Sequence, residues 1–100
     1  MPALPGPTTL TIDVSCERAT DTWSCHVRVT ERGTTTEHDV RVATVDLARL
    51  DAAASEPDDL VRRSFEFLLA REPRESILRS FDLPVIGRYF PEYEREIRGR

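Results

Sequence analysis

Residues 60–100 constrain the fold of this chain more than any other segment. Six of the seven aromatic residues lie there, and Trp23 is the exception. The segment is too apolar for a solvated tail, and its charges are too frequent for a membrane-spanning helix. It must therefore pack against the first half of the chain, against a second copy, or against a partner protein.

Prolines divide this segment into short predicted helices. Ser55 and Asp58 have the spacing of a capping box, and the helix that they start is predicted to run to about Arg71. Pro73 ends it, because the residue before a proline avoids the α conformation. Asp82 is predicted to cap a later helix. The other predicted helices are 46–54, 74–80, 83–90 and a last turn or two at 92–97.

The first half of the chain reads as β-structure. Apolar and polar residues alternate in 8–16, 23–30 and 36–44, which is typical of half-buried strands. The apolar residues have odd numbers in the second strand and even numbers in the third. Residues directly opposite in an antiparallel pair share a face, so the two numbers of each pair must add up to an odd value. The loop between the strands therefore holds an even number of residues, either 32–33 or 32–35. One sheet face then carries the apolar side chains of Leu10, Ile12, Val14, Trp23, Val27, Val29, Val40 and Val42.

These patterns predict a single α+β domain. A three-stranded antiparallel β-meander (8–44) is followed by three or four short α-helices (46–98) packed on one sheet face, because a meander alone cannot cover its apolar side. Residues 1–7, with three prolines and a glycine, are expected to form a disordered lead-in.

Composition indicates a bacterial cytoplasmic protein. All fourteen basic residues are arginine, which suggests a GC-rich genome, and the net charge is −4. The N-terminus lacks the positive charge and the apolar region of a secretory signal. No apolar run reaches the length of about 18 residues that a transmembrane helix needs.

Cysteines and histidines offer few candidates for chemistry. Cys16 and Cys25 fall on the same sheet face, where they are either small core residues, as a reducing compartment favours, or a disulfide. His26 is predicted on the opposite face, and His38 on the apolar face as a partly buried, hydrogen-bonded histidine. Because no zinc-ligand spacing or phosphate loop is present, we expect no enzyme activity, no metal and no cofactor.

Two kinds of binding surface are compatible with the C-terminal half. Aromatic residues and arginine are common anchors of protein interfaces, so Arg88, Tyr89 and Tyr93 are predicted to face a protein partner or a second copy in a homodimer. This non-catalytic interaction module is the leading interpretation.

The alternative is a nucleic-acid-binding regulator. Predicted helices 74–80 and 83–90 have the outline of a helix-turn-helix, in which Arg88 would enter the major groove while Arg74 and Arg79 contact phosphates. The acidic net charge disfavours this alternative, because phosphate contacts dominate affinity for nucleic acid. No membrane partner is expected.

Residues 60–97 also resemble a C-terminal motif of a family of uncharacterised small bacterial proteins with a strand-rich first half. The resemblance covers about 40% of the chain and implies a bacterial cytosolic protein without implying an activity. It is carried by SFEFLL (64–69), REP (71–73), SIL (76–78), FDL (81–83) and RYFPEY (88–93).

Overall fold

The computed structural model describes residues 10–98 and has an α+β fold. The predicted lead-in, 1–7, lies outside these residues. Short 3-10 turns at Arg74–Ser76 and Leu83–Val85 link the later elements. The strands are β1 (Leu10–Arg18), β2 (Thr22–Glu31), β3 (Thr34–Ala43) and β4 (Ser80–Asp82), and the helices are α1 (Thr44–Leu50), α2 (Asp58–Leu69), α3 (Ile86–Tyr89) and α4 (Tyr93–Arg98).

Strands β1, β2 and β3 form the predicted antiparallel meander. The β2–β3 loop contains only Arg32 and Gly33, which confirms the even loop length that parity required. Both residues have positive φ, at 55° and 77°, as a type I′ hairpin turn needs. The register places Trp23 opposite Val42, so the apolar residues of the meander share one face.

The sheet has a fourth strand that the sequence did not predict. β4 pairs in parallel with β3, with Phe81 beside Val40, so the sheet is mixed and its order is β1-β2-β3-β4. The predicted helix 74–80 is therefore wrong apart from the 3-10 turn at Arg74–Ser76. Asp82 occupies the N-cap position of the 3-10 turn Leu83–Val85, but its side chain makes no capping hydrogen bond. Asp82 instead accepts a hydrogen bond of 2.6 Å from Nε of Arg41. Partners forty residues away hold this segment extended, and a local pattern cannot reveal them.

Helix α2 supplies the centre of the core. Its buried side is formed by Leu60, Val61, Ser64, Phe65, Phe67 and Leu68. The Phe65 ring lies between the rings of His38 and Phe81, with centroids 5.2 Å and 6.2 Å away. The apolar side chains of β2 and β3 are buried, whereas those of Leu10, Ile12 and Val14 on β1 are only partly covered. The other face carries polar side chains such as Ser24, Arg28 and Asp39.

Three predicted helix bounds need correction. The α2 helix begins after Pro57 without a capping hydrogen bond from Ser55 among the described residues, so the predicted capping box does not form, and the helix ends at Leu69. The first helix stops at Leu50, four residues before the predicted end. Residues 83–90 divide into the 3-10 turn Leu83–Val85 and the four-residue α3.

Candidate partner-binding site

A groove of about 330 Å³ lies between the end of α2, residues 76–78, β4 and α3. Its apolar floor is buried, and four of the side chains that line it are Leu68, Ile77, Phe81 and Ile86. Two large apolar side chains at its rim are exposed: Leu78 by 46% and Tyr89 by 66%. Exposed apolar groups around an apolar depression are typical of a binding surface.

Strand β3 fixes the Leu78 side of the groove. Nδ1 of His38 lies 2.8 Å from the carbonyl oxygen of Leu78, and the amide of Asp39 donates to the carbonyl of Arg79 at 2.7 Å. These hydrogen bonds hold Leu78 and Arg79 against the sheet just before β4 begins. Within this segment Ile77 is buried while Leu78 faces solvent.

Helix α3 presents the other side of the groove. Arg88 and Tyr89 are neighbours on this short helix, and both are exposed. Tyr89 lines the groove, whereas Arg88 lines an adjoining depression with Asp46 and Asp82. Two of the three predicted partner-facing residues therefore lie side by side on the surface.

Tyr93, the third predicted partner-facing residue, is fully buried. Its hydroxyl lies 2.7 Å from Oγ of Ser64 on α2, and its ring packs edge-on against Phe67 at a centroid distance of 5.3 Å. Burial raises the pKa of Tyr93 to about 12. The prediction that Tyr93 faces a partner is wrong, because this side chain anchors α4 to α2.

The helix-turn-helix outline is also absent from the described residues. Its expected turn is strand β4, and its expected recognition helix is the four-residue α3. Arg74 is 9% exposed and donates to Glu31 at 2.8 Å, so its guanidinium does not face solvent as a phosphate contact would. Arg79 and Arg88 are exposed.

Two arginines adjoin rim residues of the groove in the chain, although neither lines the groove and the charged residue that does line it is Glu72. Arg79 follows Leu78 and Arg88 precedes Tyr89 in the chain, and neither arginine forms an ion pair with another residue of the range 10–98. Other arginines nearby are paired: Arg71 contacts Glu92 at 3.3 Å and Glu96 at 3.2 Å. Two unpaired cations beside an apolar groove can bind a carboxylate on a ligand.

The histidines occupy the predicted faces. His26 is half-exposed on the polar face, where Asp39 and Glu37 contact its two ring nitrogens at 3.0 Å and 2.6 Å. Their hydrogen bonds raise the pKa of His26, with that of Asp39 the larger cause. His38 is 1% exposed and hydrogen-bonded, as predicted, and burial lowers its pKa.

Cys16 and Cys25 form a disulfide between β1 and β2. The expectation that they are free core thiols is therefore wrong, and the alternative that the sequence left open is the one observed. The two residues are directly opposite in the strand register, with Cα atoms 4.0 Å apart. Only Cys25 belongs to the fully buried core, whereas Cys16 is half-buried at the edge of the sheet.

Leu78 was the part of the site that sequence reasoning missed. Its signal was the adjacent apolar pair Ile77 and Leu78 in front of a polar stretch. Leu78 precedes β4, and its place depends on the hydrogen bonds that His38 and the Asp39 amide make to the carbonyls of residues 78 and 79. These partners lie about forty residues away, so the local sequence could not indicate that Leu78 faces solvent.

Comparison with protein-family models, curated proteins and solved structures gives no match. The resemblance to small bacterial proteins therefore stays a prediction. Within residues 10–98, no helix is long and apolar enough to cross a membrane. No group of three or more His, Cys, Asp or Glu side chains in this range is placed to hold a metal ion.

Proposed function

We propose that the chain is a non-catalytic bacterial protein-interaction module whose groove binds a short segment of a partner protein. The observation that carries this proposal is the buried apolar floor beneath two exposed apolar side chains, Leu78 and Tyr89. Covering exposed apolar surface stabilises a complex by roughly 25 cal/mol per Å² before the costs of association. Tyrosine is also among the residues that most often dominate interface energetics.

The partner segment should present one or two large apolar side chains beside an acidic residue. A groove of about 330 Å³ is at the small end of ligand pockets and suits a few side chains better than a cofactor. Arg79 and Arg88 supply positive charge next in the chain to the rim residues Leu78 and Tyr89, whereas Glu72 lines the groove itself and the net charge of the chain is −4. A carboxylate of the partner would pair with one of these guanidinium groups and fix the orientation of the segment.

A selection from random peptides tests this proposal. Peptides of about twelve residues displayed on phage are selected on the immobilised full chain, and the enriched peptides are synthesised and titrated by fluorescence anisotropy. We expect enriched sequences with large apolar residues next to Asp or Glu. Tyr89→Ala and Leu78→Ser should each weaken binding about tenfold, as loss of an interface anchor does.

Val45 provides the matched control. It is a large apolar residue on α1 that is 73% exposed and is not among the residues that line the groove. Val45→Ser should therefore leave peptide affinity within about twofold, as a surface change outside an interface does. The proposal would be rejected if no peptide were enriched, or if Tyr89→Ala and Leu78→Ser both left the affinity of the enriched peptides unchanged.

The cytoplasmic location is part of the same proposal and rests on the composition. A reducing cytoplasm favours dithiols, so the Cys16–Cys25 bond would be open to reduction there. Because these cysteines lie on β1 and β2, and the groove lies beside β4 at the other end of the sheet, the groove does not depend directly on the disulfide.

A further inference from the structure

The edge of the sheet opposite the groove has the features of a pairing surface. β1 is nine residues long and pairs with β2 through nine consecutive residues, from Leu10 with Glu31 to Arg18 with Trp23, without a bulge. Within residues 10–98, no strand lies on its other side. It contains no proline, which proteins use to block edge strands, although Asp13, Glu17 and Arg18 place charges along it.

The register identifies the backbone groups that face outward. A two-residue hairpin turn is closed by a hydrogen-bonded pair, here Glu31 with Thr34, so the backbone groups of odd-numbered residues of β2 bond to β3. The backbone groups of even-numbered residues of β2 therefore bond to β1. Cys16 and Cys25, whose Cα atoms are 4.0 Å apart, therefore form a close pair without ladder hydrogen bonds. The outward N–H and C=O groups of β1 then belong to Leu10, Ile12, Val14, Cys16 and Arg18.

The same residues carry an incompletely covered apolar stripe. Val27 and Val29 of β2 are 0% exposed, whereas their β1 neighbours Val14 and Ile12 are only half-buried. Leu10, at the start of the strand, is 43% exposed. A further strand beside β1 would cover the outer flank of this stripe and satisfy the outward backbone groups together.

We propose that this edge pairs with β1 of a second copy of the chain, giving a two-fold dimer with a continuous sheet. In an antiparallel pair, residues directly opposite share a face, and in two identical strands this requires residue numbers that are both even or both odd. The two-fold axis therefore passes through a residue position rather than between two residues. An axis at Val14 pairs the whole strand, placing Ile12 against Cys16 of the second copy and Leu10 against Arg18.

The positions of the charged side chains favour an axis at Val14 over an axis at either neighbouring residue. With the axis at Val14, Asp13 faces Ser15 of the second copy, and Glu17 faces Thr11. An axis at Asp13 would place Asp13 opposite Asp13 of the second copy, and an axis at Ser15 would place Asp13 opposite Glu17 of the second copy. Like charges directly opposite are unfavourable, so only the axis at Val14 aligns the whole strand without such a pair.

Substitutions at Ser15 test the pairing and its register. The full chain is studied by sedimentation equilibrium between about 1 µM and 1 mM protein. Ser15→Asp places two like-charge pairs against Asp13 and should weaken the dimer, whereas Ser15→Arg should strengthen it. Because each pair occurs twice in the dimer, we expect changes of about 2- to 30-fold in the dissociation constant. Thr11→Arg, which faces Glu17 of the second copy, should also strengthen it.

Thr30 gives the matched controls. It lies on the same polar face as Ser15 but on the interior strand β2, where a second copy would not approach. Thr30→Asp and Thr30→Arg should therefore leave the dissociation constant unchanged. In the wild type, hydrogen exchange at the amides of Ile12, Val14 and Cys16 should slow as the protein concentration rises.

Three results would overturn the proposal: a wild-type chain that stays monomeric at 1 mM, a dimer that responds equally to Ser15 and Thr30 substitutions, or Thr11→Arg and Ser15→Arg variants that fold but do not tighten the dimer. Dimerisation abolished by Leu78→Ser and Tyr89→Ala instead would assign self-association to the groove and also overturn the pairing of β1.

Discussion

Nδ1 of His38 donates a hydrogen bond of 2.8 Å to the carbonyl oxygen of Leu78, forty residues along the chain. Since a carbonyl can only accept, this nitrogen carries the proton, and Nε2 lies 3.0 Å from the Thr36 hydroxyl, which can donate to it when the ring is neutral. Burial lowers the pKa of His38 and so favours the neutral ring in the folded chain. A buried imidazole on β3 thus holds one rim of the groove in place.

His38 should make stability depend on pH. Burial lowers its pKa below the ordinary 6.5, so the unfolded chain binds a proton more readily than the folded one. Its stabilising contribution is complete above about pH 6.5 and is lost as pH falls through the lowered folded pKa. Urea midpoints measured from pH 8 to 5 should decrease for the wild type on the acid side, and the decrease should be smaller for His38→Gln.

His26 is the control for this measurement, because its titration should change stability with pH in the opposite direction. Hydrogen bonds with Asp39 and Glu37 raise its pKa, so its contribution is complete below about pH 6.5 and disappears as pH rises through the raised folded pKa. His26→Gln should lower the urea midpoint mainly at acid pH. An acid-side slope unchanged by His38→Gln would contradict the assigned role of His38.

Substitution should lower the free energy of unfolding strongly at Tyr93 and hardly at all at Tyr89. Ser64 donates to the carbonyl of Leu60 at 2.7 Å, so it accepts from the Tyr93 hydroxyl, and Tyr93→Phe should cost about 1 kcal/mol. Tyr93→Ala also leaves a cavity and should cost about 3–5 kcal/mol. Tyr89→Ala should change the free energy of unfolding by no more than about 0.5 kcal/mol.

Denaturant unfolding followed by circular dichroism measures these differences. An absorbance titration adds an independent reading, because Tyr93 should form phenolate only near its pKa of about 12. If Tyr89→Ala cost as much as Tyr93→Ala, the assignment of Tyr93 to the core and Tyr89 to the surface would be wrong.

The Cys16–Cys25 disulfide should stabilise the folded chain modestly. It closes a short loop, with a sequence separation of nine residues, and the chain-entropy estimate for such a loop is about 2–3 kcal/mol. Alkylation without reductant should modify neither cysteine of the purified oxidised protein, and alkylation after reduction should modify two. The Cys16→Ser/Cys25→Ser double variant should unfold at lower urea and should no longer respond to reductant.

Nucleic acid binding should be weak. Arg74 is buried against Glu31, and the chain carries a net charge of −4, so few phosphates would be neutralised. Fluorescence anisotropy with a labelled duplex of about 30 base pairs in 50 mM salt should give no saturable binding at micromolar protein. Saturable binding that falls with salt and with Arg79→Ala and Arg88→Ala would instead favour the nucleic-acid alternative.

Local pattern was sufficient for the meander and for the centre of α2. Alternation of apolar residues fixed which faces of β1, β2 and β3 are buried, and parity fixed the length of the turn at Arg32 and Gly33. The helical spacing of Val61, Phe65, Leu68 and Leu69 predicts the buried side of α2; the first three are buried and Leu69 is half-buried. In these segments the intrinsic preference and the tertiary environment agree, so the sequence alone determines the result.

The C-terminal half was harder because distant partners decide its conformation. Three residues, Ser80–Asp82, are too short to give a period-two signal, and their strand exists because β3 provides hydrogen-bonding partners. The burial of Tyr93 likewise depends on Ser64, 29 residues earlier. Tyrosine suits both interfaces and cores, so the pattern could not separate Tyr93 from Tyr89.

The most direct test of the proposed function is where a selected peptide binds. Amide resonances of the ¹⁵N-labelled full chain are followed as the peptide is titrated. We predict that the largest shifts cluster at the groove, around Ile77, Leu78, Phe81, Ile86 and Tyr89, and disappear in Tyr89→Ala. Shifts confined to the polar sheet face around His26, or a binding site unaffected by Tyr89→Ala, would contradict the account.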